Sequence, residues 1–228
     1  MQVLDLLNSG SRILRDSKII SHKLDTEIIL AKILNKSREE IIINLDKDIS
    51  NNEINKFDEL IKRRSKSEPI AYILNEKEFW SKIFYVNSNV LIPRPETELL
   101  IDRILHFYKN KNNNINILDI GTGSGCMLLS ILSEIKNSRG IGVDISSKAI
   151  KIALKNSFKN KLDHKSKFYC RSLDEINDCK FDLIVSNPPY ISKNELRNLD
   201  KGIKKFEPKL ALDGGNDGLD LIKKVIYK

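Results

Sequence analysis

Apolar side chains recur at helical spacing through the first third of the chain. Val3, Leu4, Leu6, Leu7, Ile13 and Leu14 return every three or four positions, which predicts an amphipathic helix. Ile28, Ile29, Ile33 and Leu34 predict a second, for which Asp25 is a candidate cap. Ser37 with Glu40, and Ser50 with Glu53, have the spacing of reciprocal caps placed before apolar positions. The loops between are short, so residues 1–74 are expected to form a compact helical bundle. No residue within it looks catalytic. Pro69 interrupts the helical pattern, because its ring removes an N–H and clashes with the preceding turn.

The pattern changes from Phe79 to Leu91, which is rich in aromatic and β-branched residues. Asn87, Ser88 and Asn89 supply turn signals, so a short hairpin is expected within a linker of residues 75–95. Ile92-Pro93-Arg94-Pro95 follows, and its prolines bias Ile92 and Arg94 toward extended backbone. An apolar helix from Leu99 to Phe107 comes next. Beyond residue 115 strands and helices alternate. Strands are expected at 115–120, 140–145, 167–170 and 181–186, and helices at 126–135 and 147–157. Such alternation predicts an α/β domain over 96–228, with a parallel sheet covered by helices on both faces. Asn112 to Asn114 is the longest low-complexity tract.

Composition changes this picture little. The chain has 228 residues, 40% of them hydrophobic, enough for two modest cores. Its formal charge of +8 suits a phosphate-rich partner such as RNA or a ribosome-linked protein. The basic residues are scattered among acids, however, and frequent lysine, asparagine and isoleucine also fit a biased genome. Cys126, Cys170 and Cys179 are odd in number and fit no metal spacing, so small core residues in a reducing, cytoplasmic compartment are expected. No apolar run is long enough for a membrane span, and Met1 to Leu7 has no signal-peptide character, so no membrane association is expected. His22, His106 and His164 lie apart in sequence and are read as surface or packing residues.

Three constellations carry chemistry. Asp119-Ile120-Gly121-Thr122-Gly123-Ser124-Gly125 lies where a strand gives way to a helix. Glycines there let the backbone turn sharply beside a ligand, and the helix start offers free N–H groups. The G-x-G-x-G spacing is tighter than the dinucleotide fingerprint. It looks like the S-adenosylmethionine loop of Rossmann-like methyltransferases, though glycine-rich turns also occur as plain structure. Asp144 ends the next strand, where a carboxylate can hold both ribose hydroxyls and would repel a 2′-phosphate. The alternative is a solvated acid or a helix cap beside Ser146 and Ser147, and the glycine loop upstream favours the ribose role.

The third constellation is Asn187-Pro188-Pro189-Tyr190, directly after the last strand, where ligands bind in open α/β sheets. A planar amide or exocyclic amine is a poor nucleophile and must be aimed. The Asn187 side-chain oxygen and the Pro188 carbonyl can each accept one N–H, the prolines stiffen that backbone, and Tyr190 can cover the planar group. Placement of this kind is worth up to roughly 7–11 kcal/mol. An ordinary Asn-Pro turn is the bland alternative.

Further runs complete a resemblance. They are Glu68-Pro69-Ile70-Ala71-Tyr72, Glu78-Phe79-Trp80, Leu91 to Glu98, and Glu207 to Gly215 with Asp217-Gly218-Leu219. With the motifs above, the chain resembles the release-factor glutamine N5-methyltransferases, the HemK/PrmC family, over nearly its whole length. The resemblance implies S-adenosyl-L-methionine as cofactor and the glutamine of the Gly-Gly-Gln loop of peptide-chain release factors as acceptor. It implies that Gly121, Thr122, Gly123, Ser124 and Gly125 hold the methionine part and Asp144 the ribose. Asn187, Pro188, Pro189 and Tyr190 would grip the glutamine amide, with Asn187 also beside the cofactor. The helical domain would help to dock the release factor. Many relatives carry Asp and an aromatic near the adenine. This chain has Cys170-Arg171-Ser172-Leu173, which leaves Ser172 as the candidate there.

The family's sheet has seven strands in the order 3-2-1-4-5-7-6, and only four are read in these residues. The expectation is an incomplete sheet with residues 181–186 on an exposed edge, and weak stability and activity unless a partner covers it. Two alternatives differ in class. One is an amine methyltransferase acting on tRNA, rRNA or DNA, which shares the Asn-Pro-Pro-Tyr motif. The other is an inactive truncated fragment.

Overall fold

The structure, a computed structural model, describes residues 1–108, 114–176 and 180–227. Cys179 and the asparagines at 112 and 113 lie outside the described residues. The chain divides into two compact units, Met1–Leu74 with Lys201–Phe206, and Asn75–Asp200 with Glu207–Lys228.

The first unit is helical throughout: α1 (Val3–Asp16), α2 (His22–Leu34), α3 (Arg38–Ile43), α4 (Asn51–Ser65), α5 (Ile70–Leu74) and, from far along the chain, α9 (Lys201–Phe206). Val3, Leu6 and Leu14 of α1 pack with Ile29 and Leu30 of α2 and with Phe57 and Ile61 of α4. Each such side chain contributes about 1.5–3 kcal/mol on burial, so this apolar stripe dominates the stability of the unit. Both reciprocal caps form. Ser37 Oγ accepts from Glu40 N–H at 3.1 Å, and Glu40 accepts from Ser37 N–H at 2.8 Å. Ser50 and Glu53 repeat the arrangement at 3.4 and 3.0 Å.

Asp25 is not a cap. Helix α2 starts at His22, and Asp25 turns inward from its first turn. There it accepts from the Ser21 hydroxyl and the Arg64 guanidinium, both at 2.7 Å. A buried carboxylate needs such partners, and the pattern of apolar positions gives no sign of one 39 residues away.

The second unit opens with an antiparallel hairpin, β1 (Glu76–Phe79) and β2 (Lys82–Tyr85). Its turn is Trp80-Ser81, not Asn87–Asn89. Both turn residues have positive φ, +50° and +53°, as a two-residue turn matching strand twist requires. Neither is the glycine or asparagine that usually marks such a turn. The asparagines form a later, separate turn, in which Asn89 N–H donates to Asn87 Oδ1 at 3.0 Å.

A 3-10 turn at Pro95–Thr97 leads into α6 (Glu98–Tyr108). Then follow β3 (Ile115–Ile120), α7 (Cys126–Glu134), β4 (Ser138–Asp144), α8 (Ser147–Lys159), β5 (Ser166–Cys170), β6 (Leu183–Ser186) and α10 (Asp220–Tyr227). The sheet is parallel with order β5-β4-β3-β6. This is a Rossmann-like parallel sheet. Successive strands step from β3 to β4 to β5, and the chain then returns to β6 on the other side of β3. The carboxyl ends of β3 and β6 therefore flank the switch point, where open α/β sheets bind ligands.

On one face, Ile117 and Val185 pack with Ile101, Leu128, Ile131 and Ala153 from α6, α7 and α8. On the other, Leu118, Ile120 and Val143 pack with Leu173, Phe181 and Val225. Among the described residues β6 is an edge strand, and its Ile184 is exposed. Cys170 is exposed rather than a core residue, and Cys126 is half-buried at the start of α7. No helix among the described residues is long and apolar enough to cross a membrane.

Candidate active site

The loop after β3 is built on three positive-φ glycines, Gly121 (+72°), Gly123 (+55°) and Gly125 (+78°). A side chain at the first would meet nothing within 4 Å, so the loop presents bare backbone to open space. Gly121 and Thr122 donate their N–H groups to Val143 O at 2.9 and 3.0 Å, which hangs the loop on the end of β4. Gly125 lies beneath it, packed toward Ala153, Leu129 and Phe168 at the start of α7.

Two carboxylates stand beside the loop. Asp144 Oδ2 accepts from Gly123 N–H at 2.9 Å, and Oδ1 accepts from Ser146 N–H at 2.9 Å. It therefore ties the loop to the start of α8, where Ser146 is the actual cap. Each oxygen keeps a second lone pair. Asp119 is fully buried. Its Oδ2 accepts from the Thr122 hydroxyl at 2.7 Å, while Oδ1 is buried without a hydrogen-bonding partner. Burial pushes its pKa up to about 7, the Asp144 charge adds to the rise, and the Thr122 hydrogen bond opposes it.

Asn187 follows β6 directly. Its Nδ2 donates to Thr97 Oγ1 at 3.4 Å, which leaves Oδ1 free to accept. The backbone beyond is gripped from one side. Ile191 N–H donates to Leu212 O at 3.2 Å, Gly214 N–H to Ile191 O at 2.9 Å, and Lys193 N–H to Gly215 O at 3.0 Å. The approach is close enough to require glycine. A Cβ on Gly214 would lie 2.8 Å from Pro189 O, and one on Gly218 would clash with Tyr190 O. Glu207, its carboxylate buried, closes the ring. It accepts from Arg94 at 2.6 Å and from Ile92 N–H at 3.4 Å, joining the Leu91–Thr97 segment to the Pro208–Asp213 segment.

These elements enclose one cavity of about 480 Å³, within the range of small-molecule sites. Gly121, Thr122, Gly123, Ser124, Asp144, Asn187 and Pro189 line it, as do Asp119, Arg94 and Thr97. Gly125, Pro188, Tyr190 and Ser172 do not. Tyr190 is 62% exposed. Ser172 starts the 3-10 turn Leu173–Glu175, its N–H bound to Glu175 at 2.6 Å, and its neighbours Arg171 and Leu173 face the cavity instead. Asp119, Thr97 and Glu207 lie in recognisable motifs, but sequence reading gave them no part in the site. Thr97 and Asn187 are 90 residues apart, and no local pattern links them. Among the described residues no cluster of His, Cys, Asp and Glu is arranged to hold a metal ion.

Comparison with known proteins bears on this architecture. Residues 5–74 match the family model described as the PrmC N-terminal domain, and 95–211 match the methyltransferase small domain. A release factor glutamine methyltransferase from Buchnera aphidicola (subsp. Schizaphis graminum) is 43% identical over 92% of this chain and 77% of its own length. One from Leptospira interrogans is 38% identical over 92% of this chain and 74% of its own length. The chain belongs to the release factor glutamine methyltransferase family. A bifunctional methyltransferase of Rickettsia typhi is 38% identical over 96% of this chain, which spans 46% of that longer protein. This family member thus spans less than half the length of the bifunctional relatives and about three quarters of the Buchnera and Leptospira enzymes. Among solved structures, the catalytic domain of hMettl16, crystallised with an RNA hairpin, aligns with TM-score 0.51 over 63% of this chain and 55% of that one. At 16% identity that likeness concerns the fold.

Proposed function

We propose that this chain methylates the side-chain amide nitrogen of the glutamine in the Gly-Gly-Gln loop of peptide-chain release factors, using S-adenosyl-L-methionine. The observation that carries the reading is the joint cavity. It brings the glycine loop after β3 and the Asn187 motif after β6 to one space at the switch point of the sheet.

The residues present fit that cofactor. S-adenosyl-L-methionine carries an ammonium and a sulfonium, and a fully buried carboxylate with an unpartnered oxygen lines the cavity at Asp119. The bare backbone at Gly121 and Gly123 leaves room for the methionine part, and Asp144 keeps lone pairs for ribose hydroxyls. When bound, the cofactor supplies an electrophilic methyl group.

The rest is the work of this chain's own groups. An amide nitrogen is a weak nucleophile because its lone pair is delocalised, so orientation supplies much of the rate. Asn187 Oδ1 and the Pro188 carbonyl accept the two amide N–H groups. Thr97 holds the Asn187 amide the right way round, and the Leu212–Gly215 segment holds the following backbone. Tyr190, exposed two residues beyond Pro188, covers the acceptor once the loop of the release factor is in place.

The test is transfer of labelled methyl to a release factor carrying Gly-Gly-Gln, beside a variant whose glutamine is replaced by alanine. Labelling of the first alone is expected. Equal labelling of both rules out glutamine as the acceptor, and labelling of tRNA or rRNA in place of either moves the chain to nucleic-acid methylation.

A further inference from the structure

Helix α8 packs on the sheet through small and apolar side chains, Ala149, Ile150, Ile152 and Ala153 among them. One turn on, the same buried face carries an amide. Asn156 has no exposed surface, and a buried amide is costly unless its donors and acceptor are all used. Here they are. Asn156 Oδ1 accepts from Tyr85 N–H at 2.6 Å, and its Nδ2 donates to Tyr85 O at 2.9 Å and to Ser124 O at 2.9 Å. The side chain thus pairs with both main-chain groups of Tyr85, as a further strand beside β2 would. With its second donor it holds the carbonyl between Gly123 and Gly125. Lys155, its neighbour on the helix, lies over the Tyr85 ring at 3.3 Å from the centroid and reinforces the same contact.

We infer that Asn156 is the positioning residue of the cofactor loop, fixing the Ser124 carbonyl by tying it to the hairpin strand β2. This rests on the reading of the Gly121–Gly125 loop as the cofactor loop. The residue type follows from the bonding pattern: two donors and one acceptor at the end of a short side chain. Aspartate offers no donor when ionised, serine offers one, and leucine none. Without the tie, three main-chain groups lose their partner, the Ser124 carbonyl among them in a buried place. The turn then keeps its bonds to Val143, Asp144 and Asp119 and the bond within it from Gly125 N–H to Thr122 O, none of which holds the Ser124 carbonyl. Asn156 touches neither cofactor nor acceptor, since it does not line the cavity.

The experiment is calorimetry of S-adenosylhomocysteine binding to the full chain, wild type against Asn156→Asp, at pH 8 and pH 6, with steady-state kinetics alongside. At pH 8 the variant is expected to bind at least tenfold more weakly, while the KM for the release factor stays within twofold. At pH 6 the introduced carboxyl, facing two carbonyls, takes up a proton and regains one donor, so the ratio of the two dissociation constants falls. Asp119 titrates in both proteins and cancels in that ratio. Equal affinity at both pH values overturns the inference. So does a loss that is the same at both, which marks a general packing defect. If Asn156→Asp does not fold, Asn156→Ser is measured instead. Its hydroxyl serves one carbonyl, a loss of at least fivefold is expected, and unchanged affinity is again decisive against the tie. Failure of the wild type to bind overturns the cofactor reading and this inference with it. Wild-type binding with an unaffected variant overturns this inference alone.

Discussion

Replacing Asp119 by asparagine should change how stability depends on pH, and the size follows from the burial of that carboxyl. Its pKa is raised from 3.8 to about 7, chiefly by loss of water, so the folded protein holds a proton that the unfolded chain releases. For an acid whose folded pKa is raised, stability falls as pH climbs from the unfolded value to the folded one, and is flat above it. Between pH 5 and pH 7 the wild type loses about 2–3 kcal/mol on this account, two pKa units at 1.36 kcal/mol each. Asparagine keeps the shape and still accepts from Thr122 but does not titrate. Whatever fixed cost its NH2 group brings, the stability of the variant relative to wild type should therefore rise by about 2–3 kcal/mol between pH 5 and pH 8.

Trp80 is the single tryptophan and sits in the second unit, so its fluorescence follows the unfolding of that unit in a denaturant titration. Parallel curves, with a difference independent of pH, would show that Asp119 titrates like an exposed carboxylate, and the burial argument would fail. The same variant should bind cationic S-adenosyl-L-methionine less well at pH 8, because it lacks the carboxylate charge beside the cavity.

Three further outcomes follow from the geometry. Asp144→Ala should weaken S-adenosylhomocysteine by roughly 1.5–3 kcal/mol, the worth of hydrogen bonds to a charged group; calorimetry against a ribose-free fragment such as methionine should show no such loss, and a loss for both would deny the ribose role. Thr97→Val should lower turnover roughly fivefold and leave cofactor affinity alone, since one hydrogen bond of about 1 kcal/mol aims the Asn187 amide; an unchanged kcat would mean that Asn187 orients itself. Gly218→Ala, with its Cβ driven against Tyr190 O, should raise the KM for the release factor before it alters cofactor binding; kinetics showing the reverse would detach that segment from the acceptor loop.

What could be read in advance was whatever is local. The caps at Ser37 and Ser50 act over three residues, the glycine loop is a single strand-to-helix turn, and the Asn187 motif follows β6 directly. Their spacing therefore carries their chemistry. The hairpin turn was misplaced because Trp80 and Ser81 take positive φ without the residues that usually signal it. Asp25 looked like a cap because its partner Arg64 is invisible to any short window. The contacts that aim the site are of the same kind: Thr97 with Asn187, Arg94 with Glu207, and Asn156 with Tyr85 and Ser124. Each joins segments 32 to 113 residues apart, through side chains that look ordinary where they stand.

The strand order has a consequence in time. Strand β3 meets β4 within about two dozen residues, but its other neighbour, β6, lies 66 residues further along, as Asn116 and Asp182 show. During synthesis at roughly 5–20 residues per second, that interval lasts about 3–13 s. By the end of that interval β3, α7 and β4, with the glycine loop and Asp144, have already been synthesised, while Asn187 has not. The glycine-loop half of the pocket can thus take shape on the nascent chain before the Asn187 half exists. A nascent chain stalled short of Leu183 should already protect its glycine loop from proteolysis when S-adenosylhomocysteine is added.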